Sequence, residues 1–365
     1  MALYFALMIA FLVPLLFLYV IRKGDLYGTG KFKFNLATLV WGLVAYGVAA
    51  QINPAMIEAG WVTRSQVIRF TAPIVEEILK ALILIYFVRR ADFNYVVDGA
   101  IYGFGAGIGF AIIENWEYVT GHPEIALGLA IARVFSTNLV HATGSGLIGA
   151  ALAFRRGENT APAWTAVILG YLFSIAFHMG FNTMVSAGAF LFFAIGVGLV
   201  GTALIWFVIR RGLNTQKNWV SEKLGMGDRV TKSEAKVVVK IEQLREALVP
   251  IEKQFGSEMV KNVEAIIRKQ AEIGIKRKLL EKTASESKRQ EIEKIIKGLN
   301  RQMEALRRQA GPYCMMLVRT VYLEQDLQVW DLIAARAEEA GTGQKGGGLY
   351  DRINQRIKPP PSDQP

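Results

Sequence analysis

The chain has 365 residues, 52% of them hydrophobic and 20% charged, with a mean hydropathy of +0.28; this is too apolar for a pair of soluble domains and predicts a membrane protein. The formal net charge is +11, but in the first half the basic residues stand mostly at the ends of apolar runs, where they orient spans in a bilayer, which argues against nucleic acid as a partner. The single cysteine, Cys314, excludes an intramolecular disulfide framework and a cysteine-rich zinc site.

Residues 1–21 form an apolar run with no basic leader and no small-residue cleavage site, followed at once by Arg22 and Lys23. They read as a retained anchor rather than a signal peptide. Further spans are predicted over 36–52, 67–88, 96–119, 131–154, 163–185 and 190–209, seven in all, each near the ~20 residues that a helix needs to cross hydrocarbon. Basic residues cluster on alternate loops: Arg22, Lys23, Lys31 and Lys33, then Arg89 and Arg90, Arg155 and Arg156, Arg210 and Arg211. That asymmetry predicts an outer N-terminus and a cytoplasmic C-terminus.

The expected organisation is an all-α polytopic bundle over 1–211, a cytosolic helical, coiled-coil-like domain over 212–340 and a disordered tail over 341–365. In the second segment Ile241, Leu244, Leu248, Ile251 and Phe255, and later Ile292, Ile295 and Leu299, recur at three-four spacing. This predicts amphipathic helices packed as a hairpin or small bundle, interrupted near Pro250 and at Gly311-Pro312. The tail carries Gly346-Gly347-Gly348 and Pro359-Pro360-Pro361, a composition that does not build a core.

Ionisable side chains inside a span cost at least ~2.5 kcal/mol each and mark partners or wet cavities. The third span holds Glu76, Glu77 and Lys80. Glu76 and Lys80 share a helical face and Glu77 reaches the lysine at i+3, so Lys80 neutralises one carboxylate and leaves the other free. The fourth span carries Asp98 near its cytoplasmic start and Glu114, Asn115, Glu117 and Tyr118 near its outer end. Between them lie Gly99, Gly103, Gly105, Gly107 and Gly109, a surface for close helix packing. Asn138, His141 and Ser145 sit on the fifth span, His178 and Asn182 one turn apart on the sixth, and His122 in an outer loop. Counted from the outer span ends, Glu76, Glu114, His141 and His178 fall within roughly 8 Å of one another in depth at ~1.5 Å per residue. They define a polar chamber in the outer half of the bilayer.

Such a chamber suits peptide-bond hydrolysis. A carboxylate in a low-dielectric pocket, Glu76 or Glu77, is a general base for water, and the imidazole of His178 with the carboxamide of Asn182 can aim donors at one oxygen. Alternatively His141, His178 and a glutamate hold zinc with a position open for water; the residues alone leave both routes open. There is no His-Glu-x-x-His. The one Gly-x-Gly-Asp, at 225–228, lies outside any span, and Gly144-Ser145-Gly146 reads as helix packing more than as a serine nucleophile. Two rivals from other classes are a proton-coupled transporter or channel, whose relay would run through the full bilayer, and a seven-helix sensor. No inverted repeat supports the first, and the absence of lysine in 190–209 weakens a retinal-binding version of the second.

Glu76-Glu77-x-x-Lys80, Phe110-x-x-x-Glu114-Asn115 with Tyr118, His141 and His178-x-x-x-Asn182, in this order on four successive spans, resemble the motifs of the PrsW family of intramembrane proteases, related to the CAAX prenyl endopeptidase and bacteriocin-processing group. The resemblance covers about 67–187. It implies cleavage of a membrane-anchored protein, in the namesake case an anti-sigma factor, in a bacterial inner membrane. It also implies roles: Glu76 activates water, His141 or Glu114 assists, and His178 with Asn182 stabilises the oxyanion, with or without zinc. Glu114 stands where the wider group more often has histidine, and the segment from about 212 lies outside the resemblance. Substrate recruitment, gating and self-association are all open roles for that segment.

Overall fold

The computed structural model describes residues 1–158, 160–188, 191–224, 238–239, 241 and 244–320; the expected tail and the Gly-x-Gly-Asp of 225–228 lie outside these residues. No strand occurs among the described residues. The helices are α1 (Ala2–Arg22), α2 (Phe32–Glu58), α3 (Arg64–Gln66), a π-helical turn (Val67–Thr71), α4 (Ala72–Val88) and α5 (Val96–Gly121). After them come α6 (Ala126–Phe135), α7 (Thr137–Gly157), α8 (Ala161–Ser186), α9 (Leu191–Lys223), α10 (Leu244–Ala247), α11 (Val249–Phe255), α12 (Ser257–Lys282) and α13 (Glu286–Thr320). The protein is an all-α, polytopic integral membrane bundle.

Among the described residues, six stretches are long and apolar enough to cross a membrane: α1, α2, α5, α6 with α7, α8 and α9. The remaining predicted span is built differently. Its α4 is 17 residues long and is preceded by the π turn and the short α3. Pro73 stands in the first turn of α4, where a missing N–H costs nothing. Thr63 and Gln66 cap α3 reciprocally. The fifth span also departs from a single helix. At Ser136 (φ −122°, ψ −90°) the chain turns between α6 and α7, and the Ser136 hydroxyl donates to Ala132 O at 2.6 Å. The ten-residue α6 is only ~15 Å long and cannot span hydrocarbon alone.

The centre of the bundle is α5, of which 89% of the apolar window is buried, against 17–28% for α1, α2, α8 and α9. Its glycines explain that position. A Cβ at Gly99, Gly103 or Gly107 would lie 2.2, 2.1 or 2.4 Å from the carbonyl oxygens of Gly149, Ser145 and His141 on α7. One face therefore lies backbone to backbone against an antiparallel α7. On the other face a Cβ at Gly109 would lie 2.0 Å from Leu39 O, and one at Gly42 of α2 would lie 2.2 Å from Ala106 O. This sandwich sets the register that carries Glu114 of α5 to His141 of α7.

Helix α9 continues as one helix from the apolar stretch to Lys223. Beyond it, α12 and α13 form an antiparallel pair joined by the turn at 283–285 and packed through Ile266, Ile273, Ile292, Leu299 and Met303. Pro250 occupies the first turn of α11, and Gly311 breaks α13 with φ +77°, a conformation open to glycine without strain. The pair sits on the bundle: Lys276 Nζ donates to Ala91 O (2.6 Å) and Phe93 O (3.1 Å), and Arg268 donates to Leu26 O (2.8 Å).

Candidate active site: a buried cluster of carboxylates and imidazoles

Five helices bring their ionisable side chains to one place, and it is buried. Glu77, Lys80 and His141 are fully enclosed, and His178 and Glu76 are only 2% and 7% exposed. From α4, Glu77 Oε1 accepts from Lys80 Nζ at 2.5 Å. Lys80 is thus the counterion of Glu77, one helical turn along the same helix. Glu77 Oε1 also lies 3.2 Å from His178 Nδ1, and its Oε2 accepts from the Ser174 hydroxyl at 3.0 Å.

His141 is held from both sides. Lys80 Nζ is 3.0 Å from its Nδ1, and its Nε2 is 2.9 Å from Glu114 Oε2. An ammonium only donates, so Nδ1 is the acceptor and Nε2–H donates to Glu114. Glu114 in turn pairs with Arg133 Nη2 at 2.8 Å, while Arg133 Nε donates to Asn115 Oδ1 at 2.9 Å and its guanidinium covers the Tyr118 ring at 3.8 Å.

Glu76 stands apart. Its Oε2 is buried and makes no hydrogen bond, though it lies 3.9 Å from His141 Nδ1 and 3.8 Å from His178 Nε2. Three carboxylates, Glu76, Glu77 and Glu114, face two cations, Lys80 and Arg133, so with both imidazoles neutral the cluster is one positive charge short. A buried anion without partner is costly. The cluster therefore favours a proton, a water or a cation at Glu76.

A metal is compatible with these donors. Glu76, His141 and His178 each offer one atom within 4.8 Å of the others. The other nitrogen of each imidazole lies against a carboxylate, Glu114 or Glu77, which is how ligating histidines are usually oriented. Lys80 now shares His141 Nδ1, so holding a cation there requires the lysine to withdraw to Glu77.

A cleft of about 500 Å³ leads to Glu76 and Glu114 from the end of the bundle that carries α3, between α2, the π turn and α5, with Tyr46, Asn53, Arg64 and Tyr118 along it. The Tyr46 hydroxyl donates to Glu117 at its wall. Asn182 also lines this cleft, but its Nδ2 donates to Ile68 O in the π turn at 3.0 Å, so it secures the segment ahead of Glu76 instead of pointing a donor at the cluster. Asp98 belongs elsewhere: it accepts from Thr29 Oγ1 and from Asn94 N and Nδ2 toward the other end of α5. His122 is exposed beside Tyr118 O, and no hydrogen bond joins Ser145 to His178.

Two residues at the site escaped the sequence analysis. Ser174 lies one turn before His178 on α8, a spacing that would have found it. Arg133 is a basic residue inside the apolar run of 131–154, and its partner Glu114 lies on another helix, so no local spacing pairs them.

Residues 31–209 match the family model described as PrsW family intramembrane metalloprotease. No curated protein and no solved structure matches the chain.

Proposed function

We propose, from the premise that this chain belongs to the PrsW family of intramembrane metalloproteases and is therefore a membrane-embedded peptidase, that it hydrolyses a peptide bond of a membrane-anchored regulatory protein, of which an anti-sigma factor is one example, by water activated at Glu76. The observation that carries this reading is the Glu76 Oε2 atom, buried yet without a hydrogen bond, facing His141 and His178 at the inner end of an open cleft. A substrate segment enters the cleft past Tyr46 and Tyr118. Water beside Glu76 Oε2 gives up its proton to that oxygen as its own oxygen attacks the scissile carbonyl carbon, and the same carboxyl then returns the proton to the leaving amide nitrogen.

The surrounding residues hold that geometry. Glu77 fixes the His178 ring so that Nε2 faces Glu76, Lys80 balances Glu77, and Glu114 with Arg133 fixes His141. Alternatively Glu76, His141 and His178 would hold a zinc ion, with Glu76 a ligand in place of a base; the ion would polarise the carbonyl and make water more acidic. Asn182 shapes the cleft through Ile68. Basic loops at the far ends of α4 and α7 support a cytoplasmic C-terminus, with the cleft opening on the opposite side; the bacterial inner membrane is taken from the family resemblance.

The test is proteolysis of co-reconstituted single-span proteins by wild type, Glu76→Gln and His178→Ala, with and without a chelator followed by zinc. We expect cleavage to fall at least ~100-fold in Glu76→Gln, within the range for loss of a general base, with no loss of folded protein, since that carboxylate makes no hydrogen bond. If Glu76, His141 and His178 hold zinc instead, chelation stops cleavage and zinc restores it. Undiminished cleavage by Glu76→Gln would falsify the assignment of Glu76, and cleavage indifferent to chelation would remove the metal.

A further inference from the structure

Some 13 residues along α4 from Glu76, about 20 Å at 1.5 Å per residue, a second pocket of about 420 Å³ opens where the bundle meets the α12–α13 turn. Its polar rim carries five cations, Arg89, Arg155, Arg156, Lys282 and Lys288. They come from four places: the end of α4, the end of α7, and the two helices flanking the 283–285 turn. Among the described residues Lys282 is paired with Glu158 at 3.1 Å, and no carboxylate is bonded to Arg89, Arg156 or Lys288. Arg155 is stacked on Trp164 at 3.9 Å. Arg156 has its Nη1 buried without a hydrogen bond. Like charges converging on one hollow repel one another, and a buried guanidinium donor left unpaired adds to the cost.

Thr283, Ala284 and Ser285 of the turn close one side, and the wall opposite them is apolar: Ile85 and Val88 of α4, Leu152 of α7 and Val167 of α8. These four lie on helices of the membrane bundle, each on the side of the basic rim toward the middle of its helix, and Trp164 stands at the boundary as tryptophan does at membrane interfaces. A soluble anion would satisfy the rim and leave this wall unused. A phospholipid matches both parts, its phosphate among the cations and the start of an acyl chain along the wall. Basic pockets between membrane helices on the basic side are known to suit anionic headgroups.

We propose that this pocket binds the phosphate headgroup of an anionic phospholipid, which bridges the membrane bundle through Arg89 and Arg156 to the C-terminal helices through Lys282 and Lys288. The bound lipid relieves the repulsion among the rim cations and ties the α12–α13 turn to the end of the helix that bears Glu76.

Native mass spectrometry of the full-length protein in detergent tests this, with phosphatidylglycerol, phosphatidylcholine of the same chains and glycerol phosphate as probes. Wild type should retain phosphatidylglycerol at least tenfold better than phosphatidylcholine, and glycerol phosphate should neither bind nor compete. Arg156→Gln should lose the preference. Because that side chain is partly buried and its loss could disturb folding, the exposed-side double variant R89Q/K288Q is the second arm, and it too should bring phosphatidylglycerol down to the phosphatidylcholine level. Equal retention of the two lipids by wild type, or a preference unchanged in both variants, overturns the proposal. Binding of glycerol phosphate as tight as that of the lipid makes the pocket a soluble-anion site and overturns the lipid as occupant.

Discussion

Glu77 Oε1 and His178 Nδ1 are 3.2 Å apart, and both side chains are buried. This contact joins α4 to α8 and decides which ring nitrogen of His178 faces Glu76. With the Nδ1 proton held by Glu77, Nε2 keeps its lone pair directed toward Glu76 Oε2, 3.8 Å away.

Glu77→Gln therefore separates a supporting carboxylate from a reacting one. The amide can flip to present its own N–H to His178 and leaves Lys80 without its counterion, so the imidazole loses its fixed orientation. We expect cleavage to fall about 10–100-fold and zinc affinity by a similar factor, the usual effect of losing the carboxylate behind a ligating histidine. The readout is kcat with zinc titrated by calorimetry; a loss as deep as that of Glu76→Gln, with zinc affinity intact, would exchange the roles of the two glutamates.

Much of this arrangement is legible in the chain because its physics is local or has a strict period. The apolar runs, the i, i+3 pair of Glu77 and Lys80 and the i, i+4 glycines of α5 follow from helical geometry alone. What is not legible needs the third dimension. A break at Ser136 makes the fifth span two helices with no Pro or Gly there to announce it, and a π turn just ahead of Pro73 makes the third one composite. Asn182 sits one turn from His178, yet its amide is taken by Ile68 O of a different segment, which spacing on α8 could not reveal. Arg133 is a further case, since its pairing with Glu114 depends on where α6 crosses α5.

Arg133 should matter more for stability than its position in an outer apolar run suggests. Its side chain is 10% exposed and that of Glu114 17%, so removing the guanidinium strands a carboxylate that is then held by His141 alone. Breaking a buried pair from one side costs about 3–5 kcal/mol, and the partial exposure here points to about 3 kcal/mol. Arg133→Met should lower the thermal midpoint in detergent, and Arg133→Met with Glu114→Gln should recover most of the loss. Additive losses in the double variant would mean that the two side chains are not coupled.

The contact between α5 and α7 offers a test of packing that leaves every ionisable group in place. At Gly107 a Cβ would lie 2.4 Å from the carbonyl oxygen of His141 and 2.5 Å from Ala142 Cα. Backbone on both sides means that only a helix shift relieves the clash. Gly107→Ala should destabilise by about 1–3 kcal/mol and cut activity by displacing His141 from Glu76. Gly180→Ala on α8, where nothing lies within 4 Å, is the control and should change neither. Normal activity in Gly107→Ala would show that the register of α5 on α7 does not position the cluster.

Lys276 predicts how stability depends on pH. It is fully buried where α12 meets the loop after α4, and burial, with repulsion from Arg156 and Lys31 opposing attraction from Glu272 and Asp98, pushes its ammonium down to about 7. In the unfolded chain a lysine titrates near ~10.4. Between those values the unfolded state holds a proton that the folded state has released, so stability rises with pH across this window. Below about pH 7 both states are protonated and the contribution of Lys276 is constant at its least favourable. Thermal midpoints of wild type should therefore climb from pH 7 to pH 9 relative to Lys276→Met, whose side chain fills the same space without titrating. Parallel curves for the two proteins would mean that Lys276 stays charged in its buried site, held by the carbonyls of Ala91 and Phe93.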